Sequence, residues 1–287
     1  MTTMHLRKKI TYRLSELLPY INWAYFYHAW QVKDEGERER LRTEAEQLLR
    51  TYEHRYHAYA LFLLADANSD GDDLVIDGVR FPLLREQQYA PRGYSLCLSD
   101  FVRPMSQGIP DTIGIFATTV DRSMETDFCR DEYQQLMMQL LADRLAEAAA
   151  EKMHEEVRKV DWGYAPDEQL TISELHAEKF QGIRPAVGYP SLPDASCNFI
   201  IDRLLHLSSI GIRLTENGAM RPHASVSGLM LAHPRAHYFS VGKIDEQQLR
   251  DYARRRAVPV ALMRRFLGAI VVDDANLSHR DEATSDK

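Results

Sequence analysis

The chain has 287 residues, 45% of them hydrophobic, and a formal net charge of -7 at pH 7. This length and composition suit one large or two ordinary globular domains, and the acidic balance argues against a general nucleic-acid-binding protein. No apolar run approaches the ~20 residues of a membrane span, and residues 1–14 lack the apolar core of a secretory signal, so we expect a cytoplasmic protein without a membrane partner.

Two helical segments are predicted near the N-terminus. Residues 14–30 contain six aromatic side chains, which we expect mostly in the core. In residues 34–65, Leu41, Leu48 and Leu49 recur at helical spacing between charged residues. This pattern predicts an amphipathic helix that runs into a buried stretch.

Three short segments are predicted as strands. Residues 72–85, 94–102 and 111–120 are β-branched or apolar, and Gly, Pro, Asp and Ser bound them. Such boundaries are typical of strands.

One motif resembles a calcium loop. Asp66 to Asp73 matches the opening of an EF-hand, but a strand pattern follows, and Asp77 stands where the bidentate Glu is expected. We therefore interpret it as a turn rather than a metal site.

A long helix is predicted from Asp131 to about Trp162. Its buried face is expected to comprise Leu136, Leu140, Leu141, Leu145, Ala148 and Ala149. Asp143 and Glu147 are four residues apart, so their carboxylates share one face. From the spacing alone, that face could simply be a solvated charged surface.

The segment Ile183 to Asp194 cannot be a helix. Pro185 fixes its own φ and pushes Arg184 towards an extended conformation, while Gly188 can adopt a positive φ. Such a loop presents side chains in defined directions and is a common location for binding groups, although an ordinary surface turn would have the same composition.

The C-terminal third is predicted to mix strands and helices. We expect a helix and then a strand over residues 199–220, a strand pair from residues 223–234 and 237–244, helices in 245–267, and a flexible polar tail at 276–287. No linker or internal repeat divides the chain, so we predict one α+β domain over residues 1–275.

The three cysteines are far apart in the sequence. Cys97, Cys129 and Cys197 form no CxxC pair. The pattern suggests neither a disulfide framework nor a zinc site, and we expect reduced, mostly buried thiols.

Several blocks carry a family resemblance. They are residues 17–30, 96–102, 143–168, 181–194, 214–228 and 238–256. In order and spacing they resemble the activation domain of cobalamin-dependent methionine synthase. The resemblance implies a twisted antiparallel sheet flanked by long helices. It also implies binding of S-adenosyl-L-methionine, which remethylates oxidised cob(II)alamin while a flavodoxin-like or other electron donor supplies an electron.

The resemblance also implies roles for individual residues around S-adenosylmethionine. Arg184, placed in a loop rather than in the core, holds the ligand carboxylate, and Glu178 lies near the methionine portion. Tyr238 and Phe239 lie on a strand beside the ligand. The remaining ligand-binding residues are Asn22, Pro185 and Ala186.

Four further residues are implied to face the cobalamin or its protein. Gly188 and Tyr189 face the cobalamin ring. Asp143 and Glu147 meet the cobalamin module, face it rather than the nucleotide, and receive the histidine released from cobalt. The chain itself supplies no nucleophile.

The sequence departs from the family in two side chains and in its modules. Asn22 stands where the family has Asp, and Ala195 where many relatives have His. Family enzymes also carry homocysteine, folate and cobalamin modules ahead of this domain. We therefore expect a reactivation component without complete activity alone, acting in trans on a cobalamin-binding methionine synthase that lacks its own activation domain.

Two alternatives stay open. The first is a non-catalytic module that senses S-adenosylmethionine or docks a corrinoid protein, which Asn22 and Ala195 favour. The second is a family fold with a decayed ligand site. Five residues that match the family argue against decay: Arg184, Gly188, Tyr189, Asp143 and Glu147.

Overall fold

The computed structural model describes residues 5–87, 93–128 and 130–272. Its sheet is antiparallel and centred on a long strand, β2, which pairs with β1, β3 and β5. The strands are β1 (Leu6–Arg13), β2 (His57–Asp70), β3 (Asp73–Ile76), β4 (Val79–Pro82), β5 (Asp111–Val120), and, after a short β6 (Arg213–Leu214) and β7 (Met220–Arg221) ladder, β8 (Ser225–Met230). The sheet order is β4-β3-β2-β5-β8, with β1 also beside β2.

Helices cover both faces of this sheet. They are α1 (Leu14–Leu17), α2 (Trp23–Ala29), α3 (Glu35–Thr51), α4 (Ser123–Thr126), α5 (Glu132–Glu156), α6 (Ile172–His176), α7 (Asn198–Leu205), α8 (Glu246–Arg255) and α9 (Val260–Leu267). Helices α1, α2, α3 and α5 contribute to the core on one face, and α7, α8 and α9 to the core on the other. The predicted single α+β domain is confirmed.

Strand β2 explains the buried stretch that follows the predicted amphipathic helix. Leu61 and Leu63 point into one core, whereas Phe62 and Leu64 point into the other. Because successive side chains of a strand face opposite sides and both sides are covered, the strand is apolar without alternation. The helix itself ends at Thr51, as α3.

Helix α5 lies directly on the sheet, and the predicted long helix is confirmed there. The Thr118 hydroxyl donates a hydrogen bond of 2.8 Å to the carbonyl of Ala146, which shows how closely the alanine-rich face approaches β5. Leu136 is 45% exposed, so its predicted burial is wrong. After Glu156 the helix continues as a π-helical turn, Val157–Asp161.

The aromatic segment is less buried than predicted. Phe26 is buried, but Tyr25 is 62% exposed. The rings of Tyr20, Trp23, Tyr27 and Trp30 pack against the core while keeping part of their surface in solvent.

Two of the predicted strands are wrong. Residues 94–102 contain a single β-bridge at Cys97 followed by a 3-10 turn, because the Asp100 carboxylate accepts a hydrogen bond of 2.9 Å from the backbone N–H of Cys97. Residues 237–244 do not pair with β8, whose second edge is occupied by residues 183–187. Residues 72–85 form the β3–β4 hairpin, and residues 111–120 form β5, as predicted.

Other predictions have mixed outcomes. The EF-hand-like segment ends β2 and turns at Gly71, as the turn interpretation requires. Cys97 and Cys197 are buried free thiols, while Cys129 and the predicted tail at 276–287 lie outside the described residues. In the described part of the chain, no helix is long and apolar enough to cross a membrane.

Candidate ligand-binding site

A cavity of about 600 Å³ lies beside α5, within the usual size range for small-molecule sites of roughly 300–1,000 Å³. The structure gathers most of the predicted site residues in its wall: Asn22, Glu147, Glu178, Arg184, Pro185, Ala186, Tyr189, Tyr238 and Phe239. Of the predicted set, Asp143 and Gly188 do not line it. The side chains come from four separate parts of the chain, which only the fold brings together.

The loop that carries Arg184 is held against the sheet. Residues 183–187 run along the free edge of β8, and the Pro185 carbonyl accepts a hydrogen bond of 3.0 Å from the backbone N–H of Leu229. A Cβ at Gly228 would lie 2.2 Å from that carbonyl, so only glycine allows this approach. The loop is therefore an ordered addition to the sheet rather than a loose surface turn.

Arg184 is buried, contrary to the expectation of a loop side chain outside the core. Its side chain is 9% exposed and forms an ion pair with Glu151, and Nη1 donates a hydrogen bond of 3.0 Å to the Ala150 carbonyl. Burial lowers the pKa of the guanidinium, but Glu151, with smaller contributions from Tyr238 and Glu147, raises it, and the net shift is upward. Arg184 is thus a permanent cation in the cavity wall.

Glu178 faces the cavity from a strained backbone. Its φ is 56°, in the left-handed region that non-glycine residues rarely adopt. Burial and the nearby Glu151 carboxylate raise its pKa. Strain of this kind is often retained at functional sites.

Tyr189 and Glu147 form one pair at the cavity. The Tyr189 hydroxyl donates a hydrogen bond of 2.9 Å to Glu147, and the ring is 53% exposed. Gly188, with φ of 91°, makes the turn that presents this ring. Burial and Glu147 raise the pKa of Tyr189 to about 12, so the hydroxyl stays protonated.

Asp143 and Glu147 differ in their surroundings, although they share one face of α5. Glu147 lines the cavity, whereas Asp143 does not. Asp143 instead lies 3.6 Å from Nδ1 of the exposed His223. Burial raises the Asp143 pKa.

Asn22 has a structural role in addition to its place in the wall. It is the N-cap of α2, and its side-chain oxygen accepts a hydrogen bond of 3.2 Å from the backbone N–H of Ala24. The neighbouring Tyr20 carbonyl lies 3.0 Å from Nε2 of His176, which joins this wall to α6. The acceptor expected at position 22 is therefore already engaged in capping.

Tyr238 and Phe239 line the cavity from an irregular segment, so the predicted strand at this position is wrong. The Tyr238 hydroxyl accepts a hydrogen bond of 2.9 Å from the backbone N–H of Arg184. Side-chain bonding thus replaces strand pairing here.

Several wall residues were not predicted. They are Tyr20, Tyr25, Arg144, Glu151, His176, Pro190, Ser191, Val226 and Ser240. The sequence carries a signal for Glu151, because it follows Glu147 by four residues and thus shares its face of α5.

A buried polar cluster supports the wall from behind. Arg158 is fully buried and donates two hydrogen bonds, of 2.9 and 2.6 Å, to the Glu168 carboxylate. Its guanidinium lies 4.3 Å from the Phe180 ring centroid. His154 is buried beside it and packs edge-on against the same ring. This cluster anchors the segment that leads to Glu178.

Comparisons with known proteins agree with the resemblance found in the sequence. The family described as "Vitamin B12 dependent methionine synthase, activation domain" matches residues 13–257. A solved structure, the MetH reactivation domain bound to AdoHcy, is 36% identical, with a TM-score of 0.89, over 94% of this chain and 91% of that one. By sequence and fold, this chain belongs to the family of vitamin B12 dependent methionine synthase activation domains.

Proposed function

We propose that the chain binds S-adenosylmethionine in the cavity beside α5 and supports reductive remethylation of cobalamin on a separate methionine synthase that lacks its own activation domain. The observation that carries the proposal is the buried Arg184, held on a sheet-bound loop in the wall of a cavity of about 600 Å³. The related MetH reactivation domain was crystallised with AdoHcy (S-adenosylhomocysteine), which differs from S-adenosylmethionine by one methyl group.

The wall residues fit this ligand. A guanidinium suits a planar carboxylate, since its N–H groups form a rigid fork, and Arg184 uses only Nη1 and Nη2 in its bonds to Ala150 and Glu151. The carboxylates of Glu151 and Glu178 can accept hydrogen bonds from the ligand ammonium group. These contacts hold the ligand by the two charged groups on its α-carbon, at one end of the methionine portion.

Catalysis in this proposal is positioning. When bound, S-adenosylmethionine supplies the methyl group, and the cobalamin on the partner supplies the nucleophile. The protein holds the ligand in one orientation, and Tyr189, fixed by Glu147, is half-exposed where a partner can meet it. Alignment of reacting groups alone can lower a barrier substantially.

The docking face in this proposal comprises Tyr189, Asp143 and the adjoining helix α5. Asp143 and the exposed His223 would meet the cobalamin module. A flavodoxin-like or other donor supplies the electron. The proposed compartment is the cytoplasm, since the buried thiols of Cys97 and Cys197 are unpaired, as is usual for a reducing environment.

One observation favours a second candidate, a module that senses S-adenosylmethionine or docks a corrinoid protein without supporting methyl transfer. Asn22 lines the cavity without the charge of the family's Asp. A charge-assisted hydrogen bond is roughly twice as strong as a neutral one, so affinity at this point would be lower. Ala195, the other departure, does not belong to the wall.

Two measurements test the proposal. Isothermal titration with S-adenosylmethionine should show binding, and the absence of binding would overturn the proposal. In the second, the chain and a reductant are added to the cob(II)alamin form of a synthase without its own activation domain. The conversion to methylcobalamin is followed by absorbance. Binding without conversion would support the sensing or docking module instead.

A further inference from the structure

The cavity wall carries an excess of negative charge. Its cations are Arg144 and Arg184, and its carboxylates are Glu147, Glu151 and Glu178. With His176 neutral, the formal charge of the wall is one negative unit. A charge in a partly desolvated cavity acts more strongly on a ligand than it does in water, because the effective dielectric constant is lower.

Glu151 has no role in the resemblance, yet its position sets this balance. Its Oε1 accepts a hydrogen bond from Nη2 of Arg184. Its Oε2 is buried and has no hydrogen-bond partner among the described residues. The positive charge of Arg184 is therefore balanced inside the protein, and the other two acids of the wall outweigh Arg144.

We propose that Glu151 is a positioning and specificity-determining residue, which balances the charge of Arg184 and makes the cavity favour the cationic sulfonium S-adenosylmethionine over the thioether S-adenosylhomocysteine. The inference rests on the function proposed above. When the bond between sulfur and the methyl carbon breaks, its electron pair stays on sulfur and the methyl group passes to the nucleophile of the partner. The ligand thereby loses one positive charge. Because the wall is negatively charged, it binds the thioether product more weakly than the sulfonium, and the product is released.

The test compares the affinities for both ligands by isothermal titration. The wild type should bind S-adenosylmethionine more tightly than S-adenosylhomocysteine. Glu151→Gln should reduce the ratio of the two affinities about tenfold, a change of ~1.4 kcal/mol, because the wall becomes neutral. Glu151→Asp keeps the charge and should restore the ratio. The matched control is Glu156→Gln, on the same helix but outside the wall, where the carboxylate pairs with Lys152 at 3.4 Å.

If the role of Glu151 were purely structural, Glu151→Gln would lower the affinities for both ligands equally and leave their ratio unchanged. That result would overturn the inference. If Glu151→Gln does not fold, the double variant Glu151→Gln, Arg184→Gln removes the pair without leaving an unpaired charge. The wall keeps one negative unit, so both affinities should fall while the preference for the sulfonium persists. Loss of the preference in the double variant would also overturn the inference.

A failure of the proposed function can be distinguished from a failure of the role proposed for Glu151. A wild type that binds neither ligand contradicts both the proposed function and the role of Glu151. A wild type that binds both without preference contradicts the role of Glu151 alone.

Discussion

The backbone N–H of Arg184 donates a hydrogen bond of 2.9 Å to the side-chain oxygen of Tyr238. Tyr238 lies in a segment without strand pairing, whereas Arg184 lies in a loop bound to β8. Burial, the largest influence, raises the pKa of Tyr238 to about 12, so the phenol stays neutral. This bond fastens one wall of the cavity to the other.

Tyr238→Phe should weaken S-adenosylmethionine binding while costing about 0.5–1.5 kcal/mol of folding free energy, the usual range for one hydrogen bond. The affinity falls because the Arg184 loop loses its tie to the opposite wall. Isothermal titration and urea denaturation measure the two effects. Tyr133→Phe is the control, since Tyr133 loses a comparable bond, to Glu44, away from the cavity. Equal affinities in the two variants would contradict the prediction.

Arg184→Ala should reduce both ligand affinity and stability. The expected loss in binding is about 1.5–3 kcal/mol, the range for hydrogen bonds to charged groups. Unfolding free energy should fall by roughly 3 kcal/mol, because the Glu151 carboxylate is left without its cation. Chemical denaturation measures the second quantity. A variant as stable as the wild type would show that the buried pair contributes nothing, and unchanged affinity would exclude Arg184 as a ligand contact.

Asn22→Asp should tighten S-adenosylmethionine binding by up to about tenfold, which is ~1.4 kcal/mol, if this residue meets a donor on the ligand. Asn and Asp are about equally good N-caps. Thermal stability should therefore hardly change, and the affinity reports the added charge alone. Weaker binding of the Asp variant would mean that the site is adapted to the amide.

Stability should fall as the pH decreases from about 7 towards 5, in part because of His154. Burial, and then the positive charges of Arg158 and Arg184, lower its pKa well below the ordinary value of 6.5. Below pH ~6.5 the unfolded chain therefore binds a proton that the native state excludes, and the stabilisation present above this pH is lost, at a limiting slope of about 1.4 kcal/mol per pH unit. Urea denaturation of His154→Gln should show a shallower slope than that of the wild type, and an unchanged slope would contradict the prediction.

Reactivation of a partner synthase should depend on Asp143 and Glu147. A protonated imidazole from the partner is held more tightly by carboxylates than a neutral one, so docking should strengthen as the pH falls through the histidine range. Asp143→Asn with Glu147→Gln should remove that dependence and slow conversion of cob(II)alamin, followed by absorbance.

Single variants separate the two acids. Glu147→Gln should also lower S-adenosylmethionine affinity, because Glu147 lines the cavity, whereas Asp143→Asn should not. His223→Gln removes the chain's own imidazole beside Asp143. If the double variant reactivates as well as the wild type at every pH, the two acids take no part in docking the partner.

Local sequence patterns were sufficient to predict those elements whose type follows from residue composition and spacing. Helix α5 has a continuous buried stripe, and β5 is a compact β-branched segment between turn residues. The extended loop around Pro185 followed from proline and glycine stereochemistry. For these elements the local preference and the tertiary environment agree.

The remaining errors come from contacts that a sequence pattern does not contain. Residues 237–244 look like a strand, but residues 183–187 occupy the edge of β8 that they would need. Leu136 fits the helical stripe, yet it is 45% exposed, while the neighbouring Met137 and Met138 are the buried residues of that turn. Glu151 acquires its position in the wall only because a loop distant in sequence brings Arg184 to it.

In the proposed function, helix α5 would fix the distance between the ligand and a docked partner. Asp143 and Glu151 are eight residues apart on one continuous helix, about 12 Å along its axis. A protein that docks at the Asp143 end would therefore lie at a fixed distance from the ligand, because the helix is continuous and packs on the sheet. An insertion of one residue between them would rotate Asp143 by roughly a quarter turn relative to Glu151, so this stretch should tolerate substitution far better than any change in length.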